Sequence, residues 1–206
     1  MNQEVEHTLN DIEEAFVLVH EFLNREHIDL DNEYKKINYT YFRIFCSHLE
    51  SLFILAKHNH YSSAILLLRT MLELYVKSYY MELIAKSRND RVSEFLDGKV
   101  KFPSFFKMTE ELENYFQTHG EEFGGAFSQF TKQNMASYEK FSYFSHGTGP
   151  VVQAFYNHGN ITYTTEQLTD ILKTSKGLFV TLSMLLCLVQ DKKQMLGSLL
   201  ERYKNV

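Results

Sequence analysis

The sequence predicts an all-α protein, a bundle of about four long helices with shorter helices between them. Only 2 Pro and 9 Gly occur in 206 residues, which favours long uninterrupted elements. Apolar residues recur at alternating spacings of three and four, as in helices with one buried face. The hydrophobic share is 44% and the charged share 23%, as in ordinary globular proteins. We therefore expect one domain over residues 1–206, with a core at about 30–146 and a C-terminal helix at about 165–204.

The first two helices are predicted by stripes of apolar residues near the N-terminus. The first stripe consists of Val5, Leu9, Ile12, Phe16, Val19 and Leu23. A polar stretch, HIDLDNE, follows it and ends the pattern. The second stripe runs from Phe42 to Ala56 and ends at the turn-like sequence KHNH. Each stripe is typical of a helix that packs through one face.

The third segment, SSAILLLRTMLELYVKSYYMELIAK, is apolar on nearly all sides. A helix with this composition belongs in the centre of a bundle. Ser62 and Ser63 stand at its start, and serine is a preferred N-cap residue. We therefore expect the central helix of the core to begin after these serines.

The segment after the central helix contains shorter elements. DRVSEFLDG predicts a short helix that Gly98 stops. Pro103 is suited to opening the next helix, which Gly120 would close. A further apolar segment begins at about Glu121 and includes Phe141. It ends at SHGTGP, where glycine and proline oppose continued helix.

The last part of the chain is expected to be a loop followed by a long helix. VVQAFYNHGNITYT is predicted to be a folded loop, with a β-hairpin turning at Gly159 and Asn160 as the alternative. Thr164 and Gln167 have the spacing of a capping box. The helix that follows is expected to continue to about Lys204.

Charge and cysteine content bear on location and partners. The net charge is −5, which disfavours non-specific duplex coating but is compatible with a local cationic site. Cys46 and Cys187 stand alone in apolar stretches, as buried thiols in a reducing cytoplasm do. The acidic N-terminus lacks the pattern of a signal peptide. The longest uncharged run, Gly177 to Gln190, is short for a membrane span. We expect a cytoplasmic protein without a membrane partner.

Arg69 and Glu73 form the first candidate for a functional constellation. They lie one turn apart in the most apolar segment, so they point the same way into a region expected to be poorly hydrated. Burial of both charges without further partners would cost several kcal/mol, roughly, so they need additional hydrogen bonds. The alternative is a purely structural ion pair.

The second candidate is the sequence YEKFSYFSHG, which ends in His146 and Gly147. A histidine at a helix end beside a glycine-rich loop can titrate near neutral pH and reach a substrate. The alternative is a histidine that only caps the helix or fills the core. The letters HNH at 58–60 stand at a helix end, so we interpret those histidines as solvated.

A central helix with LLLRTMLELYVKSYY, followed about seventy residues later by YEKFSYFSHG, resembles an uncharacterised family of bacterial helical proteins. In that family an Arg-x-x-x-Glu helix and a Ser-x-x-His helix end occur together. The family is similar in turn to the HEPN superfamily (higher eukaryotes and prokaryotes nucleotide-binding). HEPN domains are helical bundles, often dimeric, of toxin–antitoxin and antiviral defence systems. Many are metal-independent ribonucleases that use Arg, four to six arbitrary residues, and then His.

The resemblance implies that His146 is the general acid and base. Lys140 stands where the superfamily has Arg, and lysine lacks the bidentate fork of arginine. Arg69 can supply a guanidinium instead, with Glu73 orienting it. Three further residues would hold the imidazole or the ribose, namely Tyr138, Ser142 and Ser145. No metal or cofactor is expected.

Two functional hypotheses follow. The first is a prokaryotic defence or toxin-type protein that acts on RNA or a nucleotide, with a cognate antitoxin or defence partner. The second is a non-catalytic interaction or ligand-sensing module with a structural network of Arg69, Glu73 and His146. In both, these three residues converge, and a separation of Arg69 and His146 well over about 10 Å would contradict the site. We also expect a homodimer, because the N-terminal stripe and the final helix offer surplus apolar surface.

Overall fold

A computed structural model describes residues 2–119, 127–130, 149–159 and 161–203. In this part of the chain the regular elements are helices and none is a strand, so the predicted all-α class is confirmed. The α-helices are α1 (Gln3–Asn24), α2 (Glu33–Lys57), α3 (Tyr61–Tyr80), α4 (Val92–Leu96), α5 (Phe105–His119), α6 (Gly149–His158), α7 (Thr165–Val189) and α8 (Lys193–Arg202). A π-helix, Met81–Ala85, continues α3, and Ser128–Phe130 form a 3₁₀ turn.

Four long helices, α1, α2, α3 and α7, enclose the core. Phe179 of α7 is fully buried, and its ring lies 5.6 Å from that of Phe16, 6.1 Å from Phe42 and 6.5 Å from Phe45. The N-terminal stripe therefore packs on α7 within one chain. The apolar faces of α1 and α7 therefore cover each other and do not support the expectation of a homodimer. The homodimer itself stays a prediction.

Local capping signals locate some helix ends correctly. The Thr164 hydroxyl accepts the Gln167 N–H at 3.2 Å, and the Gln167 side chain accepts the Thr164 N–H at 3.0 Å. The predicted capping box is therefore confirmed. Asn32 caps α2 by accepting hydrogen bonds from the backbone N–H groups of Tyr34 and Lys35. The helix α2 therefore begins at Glu33, nine residues before Phe42, the first residue of the second stripe.

Two predicted helix starts are displaced. The helix α3 begins at Tyr61, and its N-cap residue His60 makes no capping bond through its side chain. Ser62 and Ser63 are thus inside the helix, and neither caps it. The helix α5 begins at Phe105, two residues after Pro103, and Ser104 accepts the N–H of Met108. The predicted short helix ended by Gly98 is confirmed as α4, and Gly98 has φ +70°.

The prediction of a loop or hairpin is wrong over residues 151–158, because α6 occupies Gly149–His158, whereas residues 161–164 are irregular as expected. Pro150 lies in the first turn, where its missing N–H breaks no helical bond. Gly159 has φ +72°, the left-handed conformation that ends a helix. The sequence signal for this helix is the spacing of Val152, Phe155 and Tyr156, which places them on one face.

The final helix is broken rather than continuous to Lys204. The helix α7 ends at Val189, Asp191 adopts φ 58°, and α8 begins at Lys193. Gln190 is buried beside the break and accepts the N–H of Asp29 at 2.9 Å. A tertiary contact with the α1–α2 loop therefore stabilises the break.

The helix α7 is also long and apolar enough to cross a membrane, and it is the one such helix among the described residues. Of its most apolar window, 61% is buried inside the bundle, as for a core helix. Cys46 of α2 and Cys187 of α7 are free and buried, as their apolar surroundings predict.

Candidate functional site

The helix α3 places a row of side chains along one side of the bundle. We call this the α3 row: Ser62, Leu66, Arg69, Glu73 and Lys77. Their spacings of four and three residues bring them to one helical face. Leu66 is 42% exposed, and the other members are partly buried. Together with the exposed Ser63 and Thr70, the row forms the accessible side of a helix that is otherwise largely buried.

Arg69 and Glu73 meet in the middle of this row. The Arg69 Nε atom lies 3.7 Å from a Glu73 carboxylate oxygen. The other carboxylate oxygen lies 3.9 Å from the Lys77 ammonium nitrogen. Both distances exceed the 2.7–2.9 Å, roughly, of charge-assisted hydrogen bonds. The arrangement is a loose chain of cation, carboxylate and cation.

The exposure of this pair differs from the sequence expectation. The Arg69 side chain is 24% exposed and that of Glu73 is 37% exposed, whereas the apolar segment predicts a poorly hydrated pair. The physical reason is that the buried positions of α3, such as Leu68 and Leu72, lie on other sides of the helix. Solvent and small anions can therefore approach the pair.

An aromatic cluster lies at the C-terminal end of the α3 row. The Lys77 ammonium is 5.5 Å from the ring centroid of Phe102, a distance typical of a cation–π contact. Phe102 packs on Phe95 at 4.7 Å and on Tyr80 at 6.3 Å. These rings fix the loop before α5 against α3, and sequence spacing alone gave no sign of that contact.

Tyr163 lies at the N-terminal end of the α3 row. Its hydroxyl is 2.8 Å from the Ser62 hydroxyl, and its ring meets Tyr61 edge-on at 6.3 Å. Burial raises the pKa of Tyr163, so this hydroxyl stays protonated at neutral pH. Ser62, expected to cap α3, instead connects α3 to the segment before α7.

Tyr75 and Tyr79 of α3 have largely buried rings, and the Tyr79 hydroxyl is a structural donor. The Tyr79 hydroxyl donates to the Thr181 carbonyl at 3.1 Å. Burial raises the pKa of Tyr75, and it raises the pKa of Tyr79 well above the ordinary value of 10.0. Phe127 packs on both rings, at 5.8 Å and 5.3 Å. Such hydroxyls stay protonated and do not act as bases near pH 7.

The second predicted constellation lies outside the described residues. It comprises Tyr138, Lys140, Ser142, Ser145 and His146. The structure thus gives the geometry of Arg69 and Glu73 alone among the predicted site residues. The expected convergence of these two residues with His146 stays a prediction.

The described part of the chain contains no group of three or more His, Cys, Asp or Glu side chains that could bind one metal ion. A Glu-x-x-His spacing occurs at Glu4 and His7, but both are exposed on α1. His7 faces Asp11 at 3.5 Å. His58 and His60 are exposed at the junction of α2 and α3, in agreement with the interpretation as solvated histidines.

Comparison with known proteins assigns the chain to a protein family. No curated protein and no solved structure is significantly similar to the chain. A model of the family of unknown function DUF6988 matches residues 42–205, a region that includes the α3 row and the predicted segment ending at His146. Because that match covers most of the sequence, the chain belongs to the DUF6988 family.

Proposed function

We propose that this protein is a HEPN-like prokaryotic defence or toxin-type protein that cleaves RNA in the cytoplasm without a metal ion. The observation that carries the proposal is the partly exposed Arg69 guanidinium beside the Glu73 carboxylate on α3. A carboxylate neighbour restricts the orientations of a guanidinium, and guanidinium groups match the geometry of phosphate oxygens. The exposure of this side chain gives a phosphate a route of approach.

The proposed chemistry is attack of a ribose 2′-hydroxyl on the adjacent phosphorus. His146 takes the 2′-hydroxyl proton as the new oxygen–phosphorus bond forms. The protonated His146 then gives a proton to the departing 5′ oxygen as the bond from phosphorus to that oxygen breaks, which leaves a 2′,3′-cyclic phosphate and a 5′-hydroxyl. Arg69 and Lys140 neutralise charge that develops on the phosphate oxygens. Tyr138, Ser142 and Ser145 hold the imidazole or the ribose. Positioning and charge stabilisation suffice for this reaction, so it proceeds without a metal.

The charge of the whole chain restricts how RNA is bound. With a net charge of −5, the chain repels an extended polyanion except where cations are concentrated. The α3 row supplies two such cations, Arg69 and Lys77, with one carboxylate between them. We therefore expect local contact with one or two phosphates and a shallow dependence of affinity on salt.

The test is cleavage of a varied RNA pool by the purified protein in excess EDTA. Wild type should cleave, and His146→Ala should be slower by roughly 100- to 10,000-fold, the usual effect of losing a positioned acid–base group. Lys140→Arg should preserve or raise the rate, because arginine adds a bidentate phosphate contact. Arg69→Ala should slow cleavage by roughly 10- to 100-fold, as expected for one lost charged hydrogen bond.

Two control variants match these substitutions on the described surface. His27→Ala removes an exposed loop histidine, and Arg25→Ala removes an arginine whose side chain is 76% exposed. Both should cleave at the wild-type rate, with folding of all variants checked by circular dichroism and melting temperature. Equal cleavage by wild type and His146→Ala, or cleavage by neither, would contradict the ribonuclease proposal.

A non-catalytic interaction module is the second candidate function. The observation that favours it is the ion pair of Arg69 and Glu73 on α3. A contact from His146, in another part of the chain, would complete a polar network that fixes how α3 packs. A cognate antitoxin or defence protein would be its partner. In this case RNA is not cleaved, while Arg69→Ala lowers the melting temperature. The ligand-sensing form of this candidate predicts that small molecules raise the melting temperature instead.

A further inference from the structure

The helices α1 and α2 leave a polar cleft between them. Both helices contact Phe179 of α7, through Phe16 of α1 and Phe42 of α2. The cleft has a volume of about 380 Å³, within the range of roughly 300–1,000 Å³ found for small-molecule sites. Its lining includes the buried residues Phe42 and Cys46. The cleft thus has the size of a ligand site and a common position for one, between helices of a bundle.

Polar side chains from both helices line this cleft. The helix α1 contributes His20 and Asn24, and α2 contributes Arg43, Ser47 and Glu50. The three residues of α2 lie at spacings of four and three, so they share one helical face. His20 is partly buried, and the other four residues are exposed. Hydrogen-bonding groups from two helices therefore surround one space that solutes can enter.

Arg43 and Glu50 carry opposite charges that do not pair with each other. They are seven residues apart, which is about 10.5 Å along α2 at about 1.5 Å per residue. Among the described residues, no carboxylate lies within 4.0 Å of the Arg43 guanidinium, and no cation lies within 4.0 Å of the Glu50 carboxylate. Each charge is therefore available to a group of a bound molecule.

The His20 ring is held in one orientation and one tautomer. Its Nδ1 atom is 3.0 Å from the Phe16 carbonyl oxygen, and the ring stacks on that of Phe16 at 4.0 Å. A carbonyl oxygen can only accept, so Nδ1 carries the proton. The neutral imidazole therefore offers the Nε2 lone pair as an acceptor, and the Asn24 amide offers donors and an acceptor. These groups match the N–H and C=O groups of a peptide backbone.

We propose that the polar cleft binds a free di- or tripeptide, with the peptide carboxylate on Arg43 and its terminal ammonium group on Glu50. An extended chain of two or three residues spans about 7–11 Å, which fits the spacing of the two charges along α2. A guanidinium binds a carboxylate through two parallel hydrogen bonds. The side chains that line the cleft include one cation and one carboxylate, so they favour a zwitterion over a polyanion. This inference does not depend on the proposed ribonuclease activity.

The test is calorimetric titration of the full chain with trialanine. Wild type should bind with a dissociation constant on the order of 1 mM or lower, because exposed charges contribute modestly. Two blocked forms serve as controls: N-acetyl-trialanine lacks the ammonium group, and trialanine amide lacks the carboxylate. Each should bind more weakly by roughly 10-fold or more, as for one lost charge-assisted hydrogen bond.

Two variants connect this preference to the cleft. Arg43→Met should bind trialanine and its amide equally, and Glu50→Gln should bind trialanine and its N-acetyl form equally, because each variant lacks the partner of the blocked group. Arg91→Met and Glu201→Gln alter exposed residues outside the cleft and should bind like wild type. All four positions are exposed, so each variant should keep the wild-type circular dichroism spectrum.

The outcomes separate the peptide site from its alternatives. No binding of trialanine up to about 10 mM overturns the proposal. Blocked forms that bind as tightly as trialanine overturn the charge pairing, and loss of affinity in the amide alone indicates a simple anion site instead. Wild-type affinity in both Arg43→Met and Glu50→Gln places the peptide elsewhere and also overturns the proposal.

Discussion

The coupling energy between Arg69 and Glu73 is a direct measure of how hydrated the candidate site is. Their closest atoms are 3.7 Å apart. Coulomb's law gives about 1 kcal/mol at this distance in bulk water, and about 4–5 kcal/mol at an effective dielectric constant of 20. With side chains 24% and 37% exposed, solvent screening and lost side-chain freedom bring the net value to about 0.5 kcal/mol. Arg preceding Glu is also the weaker orientation on a helix.

The assay is a double-mutant cycle with Arg69→Met, Glu73→Gln and the double variant. Urea unfolding gives the free energy of each, and the cycle subtracts every contact that either side chain makes with other groups. We expect a coupling of about 0.5 kcal/mol that shrinks in 1 M NaCl, because salt screens exposed charges. The pair Glu21 and Arg25, 3.9 Å apart and more exposed, serves as the control, with coupling near zero.

A coupling above about 2 kcal/mol that is insensitive to salt would refute this reasoning. It would mean that the pair is desolvated, as its apolar segment suggests from sequence. A small coupling has a practical consequence for the RNA assay. The activity lost in Arg69→Ala is then not attributable to an unpaired buried Glu73 carboxylate.

Three further predictions concern stability and reactivity. Phe179→Ala should lower the free energy of unfolding, measured by urea titration, by about 3–5 kcal/mol, because Phe179 is fully buried among other rings. The control is Leu96→Ala at an exposed side chain, and an equally small loss of stability in both variants would contradict this packing. Burial raises the pKa of Cys187 to about 12, so iodoacetamide at pH 8 should alkylate it only after unfolding in urea; rapid alkylation of the native protein would argue against it. The Lys35 ammonium bonds Asp191 and lowers the pKa of that carboxyl below 3.8. The resulting stability is present above pH 3.8 and is lost as pH falls through the lowered pKa, so Lys35→Met should destabilise the protein at pH 7 but hardly at about pH 2; an equal loss at both pH values would exclude this ion pair as the cause.

The sequence predicts the long helices well because their signal is local and periodic. The stripe of α1 repeats over six positions, of which four are buried and two are partly buried. The Thr164 capping box lies within four residues and needs no tertiary information. The contact of Arg69 with Glu73 likewise follows from a spacing of four on one helix.

What the sequence does not predict depends on distant parts of the chain. The break at Asp191 has no glycine or proline, and its stabilising contact is between Gln190 and Asp29. The ten residues of α6 have flanking turn residues that suit a hairpin as well as a helix. The exposure of Arg69 depends on which sides of α3 other helices cover. The neighbours Phe102 and Tyr163 likewise reach the α3 row only through tertiary folding.

The packing of α1 on α7 has a consequence for synthesis on the ribosome. Asn2 of the α1 cap donates a hydrogen bond to Thr165 at the start of α7, 163 residues later. At a synthesis rate of about 5–20 residues per second, roughly 8–30 s pass between the emergence of α1 and the emergence of the start of α7. During this interval the apolar face of α1 lacks its partner and is a natural target for a chaperone. Slower translation of the C-terminal third should therefore increase aggregation of the newly made protein.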